Sequence, residues 1–536
     1  MLDSARIFPP STIVSHRIEK LLFVASFCTF AYFHQGGGWN QNVRFALVRA
    51  IVEEGRFPVD SYLIYFKNPA ASALSRVNIT AGKFLLNGKI FSLEWPGVQG
   101  NMIPISGKRE ANDISQPLEQ VAVSGDVSFD RGHFHPAKAP GTCFLAVPAY
   151  FLLYRLERLF GINPDQWWVL TGNAWLTCVF SVGLISALGC VLFFRLAREL
   201  SGASVRHCLL TTLVFAFGTP FFPYATMFYE HDIIAVVLMI SFNMLYRVKN
   251  RMPISASEKQ VLTEVNWTPA RINLYILVSG FCSGYAAITN YLQVVAAIFL
   301  GLYLIFRIRR KFGWFWYGLG MLGPFLMICI YNLACFGKLL TTNYHFESPF
   351  FRSGSGSFLD VFISPQWNVL LAILFSPYRG LFFTSPVLLL GALGLVWVCR
   401  KEEFRAEALL FSAIIGFLLL FAASFNGWHG GWAVAPRYLI PMLPFLSLPL
   451  VLAFIRYCKM TCALAIFSVA ITLIYVAVDP QSPVGNANFT IVWNRHRARK
   501  RKILWIASRA GRLHGMLTHS VTMSFRFCLR GLPGLS

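Results

Sequence analysis

Apolar runs of membrane-spanning length recur along almost the whole chain. A helix needs about 20 mostly apolar residues to cross a hydrocarbon layer about 30 Å thick. In lipid, helices and closed barrels are the spanning structures that satisfy every backbone polar group. The runs show no strict alternation, so they read as helices. They cover residues 21–33, 168–194, 207–217, 233–246, 272–288, 292–308, 314–333, 380–398, 406–425, 438–455 and 461–478. The fold class expected is an all-α polytopic membrane protein with about 11–13 transmembrane helices. Composition agrees: 56% of the 536 residues are hydrophobic and 13% are charged. A soluble chain of this length needs more polar surface.

Charge sets the expected orientation. Lys and Arg number 47 against 24 Asp and Glu, a net charge of +23. In a membrane protein such an excess belongs to cytoplasmic loops facing anionic lipid, and no nucleic-acid module is visible. The segments "RLARELSGASVRH", "RVKNRMPISASEK", "RIRRK", "CRKEEFR" and "RYCK" all fall on the cytoplasmic side if the N-terminus is inside and about eleven spans follow. Gly141–Phe160 is then a re-entrant or juxtamembrane helix, or part of an extra pair of passes. The 12 cysteines include no CxxC and read as small core residues, with neither a disulfide framework nor a zinc site.

Three parts follow along the chain. Residues 1–20 form a cytoplasmic N-terminus. Residues 21–480 form the transmembrane domain, including a long extracytoplasmic first loop at 34–140 expected to be partly helical. Residues 481–536 form a basic tail, expected to be disordered: from Asn494 to Ser536 it holds ten Lys or Arg and no acid. The outer segments 34–140, Gly218–Asp232, 336–379 and Asn426–Arg437 are rich in Trp, Tyr, Phe, His, Gly and Pro. Aromatics with a few convergent polar groups suit a sugar or a prenyl chain entering from the bilayer. An interfacial aromatic belt has the same composition.

The stretches "AKAPGTCFLAVPAY", "FGTPFFPYATMFYEHDIIAVVLM", "SPYRGLFFTSPVLLLGALGL" and "GGWAVAPRYLIPMLPFL" resemble bacterial membrane glycosyltransferases of the GT-C superfamily. The resemblance is to the family-39 and lipopolysaccharide core-sugar transferase-like group, related to protein O-mannosyltransferases and aminoarabinose transferases. It implies an enzyme of the inner (plasma) membrane that takes a sugar from a polyprenyl-phosphate carrier. The sugar passes on the extracytoplasmic face to a glycan, lipid or protein acceptor. Lys138 matches the lysine of the related "KPP" motif and is implied to meet the carrier phosphate. The physics agrees, since an ammonium is a compact point charge and the flanking prolines stiffen its backbone. Arg379 in "SPYRG" and Arg437 in "APRY" are further candidate phosphate ligands, because guanidinium forks suit phosphate oxygens. His231 in "YEHD" and His429 in "WHGG" are candidate substrate-binding residues.

The resemblance also implies a carboxylate just after the first span, to take the acceptor proton. Here the matching stretch is "WNQNVRFALVRAIVEEGRFPVDSY". Asn40 and Asn42 occupy the expected place, and an amide binds a sugar but is no base. Asn42 is therefore a candidate substrate contact, and Asp60 and Glu54 are the candidate replacement bases. No DxD-like pair is visible in the loop, so no obligate metal or other cofactor is expected. Three other readings stay open: a flippase or transporter for a lipid-linked sugar, an envelope polysaccharide polymerase or ligase, and a catalytically silent relative. A transporter would favour ionisable groups near the midplane of its spans.

Overall fold

The computed structural model describes residues 12–63, 126–251, 267–347 and 363–481, with short stretches between 64 and 125. The basic tail beyond 481 lies outside the described residues. Every apolar run named above falls on helix, with a break in the run at 380–398. The helices are α1 (Thr12–Tyr32), α2 (Trp39–Arg49), α3 (Gly141–Leu159), α4 (Trp167–Ser201), α5 (Val205–Phe217), α6 (His231–Arg251) and α7 (Pro269–Thr289). There follow α8 (Tyr291–Ile308), α9 (Gly313–Phe336), α10 (Trp367–Phe375), α11 (Leu388–Cys399), α12 (Glu402–Ser424), α13 (Arg437–Ser447 with Leu450–Arg456) and α14 (Cys458–Val478).

Among the described residues, seven helices are long and apolar enough to cross a bilayer, or up to eight if the bent pair of α13 is one span. The shorter apolar α5 and α11 and the charged-ended α1 stand beside them. Only with these does the number of apolar helices reach the lower expected figure. The run at 380–398 is less regular than its hydropathy suggests. Ser385 leaves helical backbone (φ −138°, ψ 73°), and the helix restarts only at Leu388. Pro386 explains the break, since proline disfavours helical backbone in the residue before it. Pro449 lies at the break in α13, whose halves diverge by 51°.

One end of the bundle is tied together by ion pairs. Arg195 of α4 donates two bonds to Glu19 of α1, at 3.1 and 2.8 Å. Arg247 of α6 meets Glu199 of α4 at 2.6 Å. Lys249 of α6 and the Tyr303 hydroxyl of α8 both donate to Glu407 of α12, at 2.6 and 2.5 Å. The basic loops of the sequence emerge here. α6 then runs 21 residues to His231, a length of about 30 Å. His231 therefore lies one hydrocarbon thickness from the basic end. The positive-inside rule predicts that the basic end faces the cytoplasm. In a background lacking the native cysteines, Cys at Trp428 is expected to react with an impermeant maleimide from outside. Cys at Lys401 should react only in opened membranes. Labelling in the reverse pattern would overturn the orientation.

Small residues allow α7 and α9 to cross closely. A Cβ on Gly280 would strike the Tyr317 backbone, and one on Gly320 would strike the Leu277 carbonyl. At the far end, the described residues of the segment before α3 combine helix with short strands. α2 is its helical part, and short antiparallel strands follow. These are β1 (Tyr65–Lys67), β2 (Leu74–Arg76), β3 (Lys83–Leu86), β4 (Lys89–Ser92), β5 (Ile103–Pro104), β6 (Glu119–Gln120), β7 (Val127–Asp130) and β8 (His133–Pro136). Their orders are β2-β1-β6, β3-β4-β5 and β7-β8. β7 and β8 are joined by Arg131 and Gly132, both at positive φ (52° and 81°), as the right-handed twist of a tight hairpin requires.

Candidate active site

The hairpin β7-β8 delivers Lys138. At its base the Ala137 N–H donates to the Asp126 carbonyl at 2.9 Å. The Asn343 amide donates to the carbonyls of Pro136 and Lys138, at 2.7 and 3.1 Å. This clamp and the two nearby prolines leave the lysine little backbone freedom. Its Nζ stands 3.5 Å from Asp126 Oδ1 and 3.6 Å from Glu347 Oε1, over the Tyr344 ring at 5.9 Å. Burial alone would lower the lysine pKa. Asp126 and Glu347 outweigh it, so the pKa lies above the ordinary value and the ammonium stays charged.

Arg437 arrives from the other side of the bundle, at the start of α13. Its guanidinium lies over the rings of Tyr438 (5.0 Å) and Tyr229 (5.8 Å), and Nη2 donates to the Tyr438 hydroxyl at 3.1 Å. Its Nε is buried without a partner. Lys138 and Arg437 lie within each other's field, and Arg437 also acts on Glu230. Two residues nearly 300 positions apart thus share one polar centre at the end of the bundle opposite the basic loops.

α2 supplies the third cation. Gln41 and Arg44 hang on its buried face and hold the stretch before α6. The Phe228 N–H donates to Gln41 Oε1 at 2.8 Å, and Arg44 Nη2 donates to Glu230 Oε2 at 2.5 Å. Arg44 Nε donates to Asn40 Oδ1 at 2.8 Å, while Nη1 is buried without a partner. Burial pushes the Glu230 carboxyl up, but Arg44 foremost, then His231 and Arg437, hold it down at about 2. A depressed carboxyl contributes stability above its unfolded-state value, ordinarily 4.5, and loses it as pH falls toward about 2. Glu230→Gln is expected to flatten the acid limb of the unfolding midpoint between about pH 4.5 and 2. An unchanged acid limb in detergent-solubilised protein would refute this pairing energy.

His231 sits in the same place, its ring 5.3, 6.0 and 6.2 Å from those of Tyr224, Tyr229 and Tyr438. Its Nε2 is 4.0 Å from Glu230 Oε1 and has no hydrogen-bond partner. The centre therefore holds Arg44, Lys138 and Arg437 against Asp126, Glu230 and Glu347, walled by tyrosines. Among the described residues, no group of three or more His, Cys, Asp or Glu is placed to hold a metal ion.

Other expected site residues lie elsewhere. Arg379 is 2% exposed and serves the loop before α13. It donates to the Ala433 carbonyl through Nη1, and through Nη2 to the Gly431 carbonyl at 2.7 Å and the Tyr378 hydroxyl at 3.3 Å. These donors fold a loop, and the structure does not add Arg379 to the Lys138 group. His429 lies in that loop and accepts from the Gly431 N–H at 3.0 Å. Burial, then Arg379 and Arg437, lower its pKa, so the ring is neutral at physiological pH. Asp60 is buried against the hairpin tip. One oxygen meets His133 Nδ1 and the other accepts from the Phe134 N–H, both at 2.9 Å. Glu54 pairs with Arg56 near the surface. Among the described residues the ion pairs of Lys138 are with Asp126 and Glu347, and not with either of these two acids. Asn42 is half-buried on α2, beside Asn40.

Arg44, Asp126 and Glu347 were not singled out from the sequence. Arg44 carried a readable signal, as a charge within the apolar pattern "VRFALVRAIV". Such a residue on a buried helix face needs a partner. Asp126 and Glu347 had no such signal.

No family profile and no curated protein matches the chain. Among solved structures it is similar to ArnT from Cupriavidus metallidurans in the apo state, at 14% identity and a TM-score of 0.44, over 88% of this chain and 66% of that one. The same figures are 14%, 0.44, 89% and 67% for ArnT bound to undecaprenyl phosphate. For the oligosaccharyltransferase AglB from Archaeoglobus fulgidus, in complex with an inhibitory peptide and a dolichol-phosphate, they are 11%, 0.43, 93% and 60%. The chain spans about two thirds of the length of ArnT and less of AglB.

Proposed function

We propose that this protein is a membrane glycosyltransferase of the inner membrane. It moves a sugar from a polyprenyl-phosphate carrier to a glycan, lipid or protein acceptor on the extracytoplasmic face. The observation that carries this reading is the convergence of Lys138 and Arg437 in one tyrosine-walled centre, across the bundle from the basic loops. Breaking the sugar–phosphate bond leaves negative charge on the departing phosphate. Cations held rigidly there stabilise the transition state more than the ground state. The low dielectric of a membrane edge strengthens them relative to water. The prenyl tail lies in the bilayer beside the bundle. The tyrosines and His231 line the space for the sugar, where aromatic faces and hydroxyls suit a pyranose or furanose ring.

The test is lipid analysis of cells with and without the protein. Loss of the protein is expected to leave one polyprenyl-phosphate sugar unused and accumulating, which names the donor. Unchanged lipid-linked sugars, with the purified protein failing to bind undecaprenyl phosphate, would refute the reading. Movement of the lipid-linked sugar across the membrane without transfer would establish the flippase instead.

A further inference from the structure

We infer that Glu230 is the group that takes the proton from the acceptor hydroxyl, in the spatial place left without an acid by Asn40. The inference rests on the transferase reading above and names the base for it. It begins with α2, where the sequence puts amides at positions 40 and 42. Asn40 Oδ1 accepts from Arg44 Nε at 2.8 Å, and the same guanidinium donates through Nη2 to Glu230 Oε2 at 2.5 Å. One guanidinium therefore separates the Asn40 side chain from a carboxylate that arrives from a segment 186 residues beyond Arg44. The Gln41–Phe228 bond fixes the same two segments together. A carboxylate is thus present at the N-terminal turns of α2, although the local sequence supplies none.

The other acids of the centre are less suited. Asp126 and Glu347 both face Lys138, the cation assigned to the leaving phosphate. A base must work on the acceptor side of the anomeric carbon, away from the leaving group. Glu230 is held by Arg44, while Lys138 meets Asp126 and Glu347. About 11% of the Glu230 side chain remains exposed, and Oε2 is the oxygen that meets Arg44. The buried Nη1 of Arg44 and Nε2 of His231 stand near it without partners.

The step balances without a further reactant. The acceptor oxygen bonds to the anomeric carbon as the bond from that carbon to the carrier phosphate oxygen breaks. The bonding pair leaves with the phosphate, and the acceptor proton passes to Glu230. Arg44, His231 and Arg437 keep Glu230 acidic. A phosphate on Arg437 and Lys138 offsets their field and raises the basicity of the carboxylate. Donor binding therefore readies the base.

The experiment uses the purified full chain in lipid nanodiscs with two readouts. One is binding of undecaprenyl phosphate. The other is turnover of the polyprenyl-phosphate sugar that accumulates in cells lacking the protein. Glu230→Gln is expected to lower turnover by about 10²–10⁴-fold while undecaprenyl phosphate binds within about threefold of the parent. Glu230→Asp, which keeps the carboxylate, is expected to recover part of the turnover. Glu230→Gln within tenfold of parental turnover would overturn the assignment, as would loss only in Asp60→Asn. Equal loss of carrier binding and turnover in Glu230→Gln would make the residue structural and overturn it too. If the parent protein itself binds no undecaprenyl phosphate, the transferase reading fails first and the base falls with it.

Discussion

Lys138→Ala is expected to lower turnover by about 10²–10³-fold, the usual loss when one preorganised group aimed at developing negative charge is removed. The effect should fall mainly on kcat. In the resting site the ammonium is already neutralised by Asp126 and Glu347, so a ground-state phosphate gains modestly from it. Once the sugar bond breaks, the extra charge on the phosphate gains more. Arg437→Lys should be nearly as damaging as Arg437→Ala. The guanidinium lies over two tyrosine rings, and its Nε is buried without a partner. An ammonium reproduces neither the planar stacking nor the fork. Single-turnover kinetics with the accumulated donor would measure both, with thermal unfolding to check the fold. Parental turnover in Lys138→Ala would remove the phosphate role.

Arg49→Met is expected to destabilise the outer layer by about 3–5 kcal/mol, the usual cost of removing one partner from a buried ion pair. Arg49 belongs to a closed ring of four charges. It donates to Glu53 at 2.5 Å and to Asp165 at 2.9 Å. Arg76 donates to the same two acids, at 2.7 Å each. The Tyr150 hydroxyl adds a bond to Glu53 at 2.6 Å. The Arg49 side chain is 1% exposed and that of Glu53 is 5% exposed. Without Arg49 the two acids keep only Arg76, and the buried carboxylates are under-compensated. Because the ring joins α2, β2, α3 and the turn before α4, the loss should be felt across the whole layer. Double replacement, Arg49→Met with Glu53→Gln, should recover part of the stability, since fewer charges then stay buried unpaired. Denaturation in detergent, followed by near-UV circular dichroism, separates the two variants. Equal stability of Arg49→Met and the parent would show the ring to be energetically neutral.

The spans were legible because lipid makes a local demand. A residue run such as 461–478 must satisfy its own backbone bonds whatever its neighbours do, and α14 follows that run closely. The breaks at Pro386 and Pro449 were legible in principle, as proline acts on its own turn. Lys138 was legible for a similar reason, since its stiffened backbone and the apolar helix after it adjoin in the chain. The base was harder to read. Asp60 and Glu54 were judged by closeness in sequence to the expected position, but Asp60 turns to the hairpin and Glu54 to Arg56. Arg379 looked equivalent to Arg437, each beside Pro and Tyr. Nothing local distinguishes a guanidinium that finds carbonyls of its own loop, as Arg379 does, from one that lies over two tyrosine rings, as Arg437 does; each keeps a buried Nε without a partner.

The amino-acid sequence by itself therefore determined the membrane-helical fold class, the apolar helices and the place of Lys138 just ahead of α3. Each of these follows from interactions within a run of about 20 residues. Only the tertiary structure decided which polar groups share the centre. Asn40, Arg44, Asp126, Lys138, Glu230, Glu347 and Arg437 are spread over nearly 400 positions. Their meeting depends on how α2, the hairpin, α6 and α13 pack. A charge buried by that packing must find its partner across elements, because water is no longer there to solvate it.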